Sequence, residues 1–291
     1  MSQTEQHCAC NHPELVMLPV RGFGLAVDPS GLAPAPVPAL GCRERVDQDM
    51  HIYVNGNLSE SGDGLSPETA VKSYADAVLA LSRYDGCNTH AAHFHFADLD
   101  GADDAYPDLG VFPHNYATFR TLAIAGVSHE TTNLGTCIVH PGCEVYISDA
   151  CLTCARNFSS FVQLRNNISF NPRNQKYAIM SQYGGIIFCA VDSEIYFHSG
   201  TYASCVFAMH SMVSNSGRCK FHTLGPVSVE TGFLCGTRNA AINFTEAVDY
   251  TNCTAVSGMK YYANFLSNIY TGGKTLPGSL DGQVYNGSIY A

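Results

Sequence analysis

The chain has 291 residues, of which 14% are charged, and 15 Lys and Arg against 25 Asp and Glu give a formal net charge of −10. That length allows a sizeable buried core, while the acidic balance and the lack of any basic run argue against a nucleic-acid partner. Polyanionic glycans are disfavoured as ligands unless a local patch or a bound cation reverses the field.

No apolar run is long enough to span a membrane. The first residues, MSQTEQHCAC, lack the basic-then-apolar order of a secretory signal. With 13 cysteines and no signal, synthesis in a reducing cytoplasm with mostly free thiols is expected.

Residues 1–50 read as a separate segment, a flexible linker or docking tail. His7, Cys8, Cys10 and His12 open it, and a Pro-rich stretch from Pro29 to Gly41 favours an extended, semi-rigid chain. The His and Cys spacing, even with Cys42, matches no standard zinc pattern. Next, Ile52, Tyr53 and Val54 read as a short strand stopped by Asn55-Gly56-Asn57. Ser66 as N-cap and Pro67 at the first helical position predict a helix over about 67–82. Val71, Tyr74, Ala75, Val78 and Leu81 would form its apolar stripe. One helix before many short strands suggests a cap laid over the open end of a stacked sheet.

In Ala91–Ala97, alternation puts Phe94 and Phe96 on one face and His93 and His95 on the other. With His90 nearby a metal is conceivable, but a solvated strand face above a buried aromatic pair is the simpler reading. The acidic run with Asp100, Asp103, Asp104 and Asp108 lacks the bidentate Glu of an EF-hand and reads as a solvated loop. From Thr118 onward short apolar runs alternate with Gly, Asn, Ser and Pro, at roughly half to one turn of a β-helix coil; a β-sandwich would give similar strands. Cys189, Cys205, Cys219, Cys235 and Cys253 fit as small buried hydrophobes in stacked rows. Cys151 and Cys154, with Cys137 and Cys143 before them, lack the second closely spaced pair of a zinc ribbon. No metal or cofactor is expected.

The most informative stretch is Ile187 to His198. Ile187, Cys189, Val191, Ser193, Ile195 and Phe197 share one parity and should face the core. Phe188, Ala190, Asp192, Glu194, Tyr196 and His198 should face solvent. Asp192 and Glu194 are the candidate catalytic pair, since carboxyls at i and i+2 on a strand lie about 6–7 Å apart, between the two glycosidase separations. Phe188, Tyr196 and His198 are candidate glycan contacts, because aromatic faces on an exposed strip can hold a sugar and Tyr can both stack and hydrogen-bond. Glu144, Tyr146 and Glu230 are further candidates from neighbouring coils.

Two motifs carry a resemblance. Asp63-Gly64-Leu65-Ser66-Pro67-Glu68-Thr69-Ala70, between a strand and a helix, resembles the entry to the β-helix of tail fibre and tailspike-type proteins of tailed bacteriophages and prophages. Leu276-Pro277-Gly278-Ser279, Asp281-Gly282 and the ending Gly287-Ser288-Ile289-Tyr290-Ala291 resemble the last residues of many such proteins. The resemblance implies an all-β, single-stranded, right-handed parallel β-helix of pectate-lyase-like type over 51–270, closed by a tail over 271–291. It also implies a homotrimer in the virion tail that contacts other tail proteins and recognises a bacterial surface polysaccharide of capsule or O-antigen type. Two alternatives on the same fold are a depolymerase, hydrolase or lyase, working through Asp192 and Glu194, and a purely structural trimeric spacer.

Overall fold

The computed structural model describes residues 43–291 apart from 102, 103, 117 and 174. The His7–His12 cluster, the Pro-rich stretch, Cys42 and Asp103 lie outside the described residues. The fold is an all-β parallel solenoid, in which each coil lays its strands directly on those of the coil before. A first row runs from Met50–Val54 through Ala91–Phe96, Thr121–Ala125 and Ile186–Cys189 to Asn268–Tyr270 and Ile289–Tyr290. A second contains Ser193–Phe197, Cys219–Thr223 and Val248–Asn252. A third runs through Tyr177–Gln182, Ser204–Met209, Leu234–Thr237 and Tyr261–Asn264. A short sheet, Gly200–Tyr202, Val227–Val229 and Val256–Gly258, lies between the second and third rows along the chain. Glu194 and Lys220 touch at 26 residues apart in sequence, and Ser214 and Asn243 at 29, so one coil there is of that length.

Strand alternation makes the core. Leu122, Val145, Val162, Ile187, Val213, Ile242 and Ile269 stack in one inward column of the first row, and all are buried. Phe170, Phe197, Phe221, Phe233 and Phe244 fill the interior further along, with edge-to-face contacts such as Phe221–Phe244 at 5.3 Å. Each fully buried aromatic of this kind contributes about 1.5–3 kcal/mol. The described cysteines are free thiols and all but Cys87 are buried, where they pack as small apolar side chains.

Left-handed residues turn the corners. Asp149 (φ 52°), Asn166 (φ 53°) and Asp192 (φ 58°) stand at the turn from first to second row, and Asn166 Nδ2 donates to Asp149 Oδ2 at 2.8 Å. Asn and Asp tolerate this conformation better than other non-glycine residues.

The capping helix is present but shorter than expected. It spans Tyr74–Leu81 with Ser73 as N-cap, whose side chain accepts from the Asp76 N–H. Ser66 instead closes a turn: Thr69 N–H donates to the Ser66 carbonyl and hydroxyl, and Asp63 Oδ1 accepts from Leu65 N–H and Thr69 Oγ1. The folded-back segment then covers the edge of the first strand. Tyr53 N–H donates to the Gly64 carbonyl, Asn55 N–H to that of Val71, and Val71 N–H to that of Tyr53. Val71 is therefore an edge residue rather than part of the helical stripe, and Ala75 is exposed; Ala77, Val78, Ala80 and Leu81 are the buried face. The paired structure also begins before residue 51, with Glu44–Arg45 against Tyr84–Asp85.

Candidate functional site

The expected exposed strip from Phe188 to His198 is not one strand. The strand Ile186–Cys189 ends before the corner at Asp192, and Ser193–Phe197 begins the second row. Ile187, Cys189, Ser193, Ile195 and Phe197 are buried as expected, but Val191 is 56% exposed because it sits in the turn. Phe188 thus belongs to the first row and Glu194, Tyr196 and His198 to the second. The i, i+2 separation assumed for Asp192 and Glu194 does not apply, since Asp192 is itself the left-handed corner residue and stands outside the strand that holds Glu194.

On the second row, two outward columns stand side by side. One is Asn167, Glu194, Lys220 and Asp249; the other is Ser169, Tyr196, His222 and Asn252. Glu194 joins them. Its Oε1 accepts from Lys220 Nζ at 2.8 Å and its Oε2 from the Tyr196 hydroxyl at 2.8 Å. His222 Nε2 lies 3.1 Å from the same Oε2 without hydrogen-bond geometry. The Lys220 ammonium, and then the Tyr196 hydroxyl, hold the Glu194 carboxyl below its usual range. Burial, and then the same hydrogen bond, push the Tyr196 phenol up to about 12. Burial lowers His222 and His198, whose Nε2 is buried without a hydrogen-bond partner among the described residues.

Tyr196 is not free to stack on a sugar. His129 covers one face at a centroid distance of 4.3 Å and His222 the other at 4.5 Å, with planes within 14°. The ring is a rung of an aromatic ladder that shows only its edge. What this row offers a ligand is polar. Asp192 Oδ1 pairs with Arg218 Nη2 at 3.0 Å, one coil on, and both side chains are well exposed. Together with Glu194 and Lys220 they line a cleft of about 200 Å³.

The remaining candidates are dispersed. Glu144 and Tyr146 lie on the first row, where the Tyr146 hydroxyl donates to Glu144 and the Arg165 guanidinium covers the Tyr146 ring at 3.6 Å. Glu144 also borders an open cleft of about 430 Å³ with Tyr116, Arg120 and Phe161. Phe188 packs against Phe161 at 5.7 Å on the same row. Glu230 follows Val227–Val229 on the short sheet, away from all of these.

Three features escaped the sequence reading. His51 stacks on His93 at 4.7 Å and its Nδ1 lies 2.9 Å from His95 Nε2. Their 44-residue separation hid the pairing. Lys220 and His222 are one coil from Glu194, and only the coil length would have found them. A ladder of Phe112, His140 and Phe158 marks a corner, with Phe112–His140 at 3.8 Å. Among the described residues no group of three or more His, Cys, Asp or Glu is arranged to hold a metal ion.

The geometry defines a parallel β-solenoid with polar and aromatic ladders on its outside. No family model, curated protein or solved structure matches the chain.

Proposed function

We propose that this chain is a host-recognition protein of tail fibre or tailspike type, which holds a bacterial surface polysaccharide along the outside of the solenoid, as a homotrimer, without cleaving it. The observation that carries the reading is the two side-by-side ion pairs, Asp192–Arg218 and Glu194–Lys220, that bridge the same two coils at one cleft. Sugar hydroxyls both donate and accept, and charged partners make the stronger hydrogen bonds. Two carboxylates on one coil facing two cations on the next give the cleft both acceptors and donors for the hydroxyls of a sugar chain. The motifs at 63–70 and 276–291 support the phage-tail class, since the first of them builds the edge cover of the solenoid.

Glu194 is unsuited to serve as the general acid of a depolymerase. A general acid needs a raised pKa, whereas this carboxyl is held low by Lys220. The test is an array of bacterial capsule and O-antigen polysaccharides probed with the wild type and Glu194→Gln. The reading expects binding to at least one polysaccharide, weakened by the substitution. Equal binding by both proteins, or none by the wild type, overturns it.

A further inference from the structure

At the corner between the third and first rows, a groove of about 520 Å³ is lined by His210, Arg238, Asn239, Phe265, Leu266 and Asn286. All six have positive φ, between 50° and 60°. Two left-handed residues in succession are a pattern that Asn and Gly fill at little cost. Asn239 and Asn286 suit it, whereas Arg238 and Phe265 hold large side chains on a strained backbone. Leu266 has a packing role, since it lies against Gly287 of the next coil, where a Cβ would come within 2.9 Å of its Cδ2. Phe265 has no such role: it is 52% exposed and its ring stacks on no other among the described residues. Strain kept at an exposed ring, where burial does not offset it, points to a use outside the fold.

The same corner is free of acid. Residues 181–185, 208–212, 236–240, 264–268 and 284–288 contain no Asp or Glu, in a chain of net charge −10. Arg238 is exposed at the groove, and its guanidinium makes no hydrogen bond or ion pair among the described residues. Arg218, Lys220 and Lys260, by contrast, each face a carboxylate. The local field is thus the reverse of the overall one. Asn239 N–H donates to the Phe265 carbonyl, so Arg238 and Phe265 stand on neighbouring coils, about 4.8 Å apart. The guanidinium fork can donate two parallel bonds to a carboxylate, and an aromatic ring takes an apolar face beside it. Together they fit a ligand that carries a carboxylate on a saturated ring.

We propose that this corner groove is a subsite for a uronic acid unit of the polysaccharide, its carboxylate on Arg238, its C–H face on Phe265 and its hydroxyls on Asn239 and His210. This deepens the glycan reading and rests on it, naming an acidic sugar and a second contact point on a different corner of the coil. The probe is methyl β-glucuronopyranoside, with methyl β-glucopyranoside as its neutral counterpart. Saturation-transfer NMR on the full chain should show transfer to the ring hydrogens of the acid, and roughly fivefold less to the neutral sugar. Arg238→Asn and Phe265→Asn place a residue that tolerates the left-handed backbone, so both variants should melt no lower than the wild type. Each should lose transfer roughly fivefold or more. No transfer from the wild type, equal transfer to the neutral sugar, or equal transfer from the variants overturns the subsite, even if the array shows polysaccharide binding. Lower melting of both variants makes the two side chains structural and overturns it as well. Transfer that the variants abolish, on a protein that retains no polysaccharide, upholds the subsite and overturns the polymer reading.

Discussion

Glu194 and Asp192 sit two residues apart and do different work. Glu194 is the hub of a ladder. Its carboxyl lies below the ordinary value of 4.5 because of Lys220 and Tyr196. A carboxyl depressed in the fold stabilises fully above its unfolded value and loses that contribution as pH falls through the folded one. Lys220→Met should therefore raise the Glu194 pKa toward 4.5, read by carboxyl NMR titration, and move the acid loss of stability to higher pH. An unchanged titration would remove Lys220 as the cause. Asp192 is explained by its backbone, at φ 58°. Asp192→Asn should leave thermal stability nearly unchanged, whereas Asp192→Val should cost about 1–2 kcal/mol. Alternation alone gave the buried partners of Glu194 correctly, but it cannot see a corner, so Val191 was placed inward and the carboxyls on one strand.

Two elements near the N-terminal end show what local pattern can and cannot tell. In Ala91–Phe96 the alternation placed both phenylalanines in the core and both histidines outside, as found. The helix start was misplaced because Ser66-Pro67 carries the local pattern of a start, while the loop it opens is drawn back to cover the first strand's edge, which leaves Ser73 as the cap. Ser73→Ala should cost about 1 kcal/mol as a lost cap, measured by chemical denaturation, and a cost at Ser66→Ala alone would contradict the observed helix. The histidine stack adds a pH dependence. Burial, and then His51, hold His93 and His95 below 6.5. Groups kept neutral in this way contribute fully above 6.5, and stability is lost as pH falls from there toward the folded values. Amide protection in Met50–Val54 should thus decline as pH falls below 6.5, and His95→Gln should lessen the decline.

At the scale of the molecule, the stacked-strand architecture was legible from short apolar runs with turn punctuation after a single helix. The register was not, because coil length varies and only matched columns reveal it. Ligand-facing pairs such as Glu194–Lys220 therefore stayed hidden while the core they rest on did not. Continuous columns make the core sensitive at any level: Ile187→Ala, between Val162 and Val213, should cost about 2–5 kcal/mol. The homotrimer proposed here should appear in light scattering at three times the 31.3 kDa chain mass, and a monomer would count against the tail-type class.

The central claim is recognition of a surface polysaccharide without cleavage. The most direct test takes the array polysaccharides that the wild type retains, incubates each with the protein, and measures polymer length by size-exclusion chromatography. The account predicts retention with unchanged length, and weaker retention by Glu194→Gln. Shortened polymer, with shortening abolished in Glu194→Gln or Asp192→Asn, would contradict it and make the protein a depolymerase.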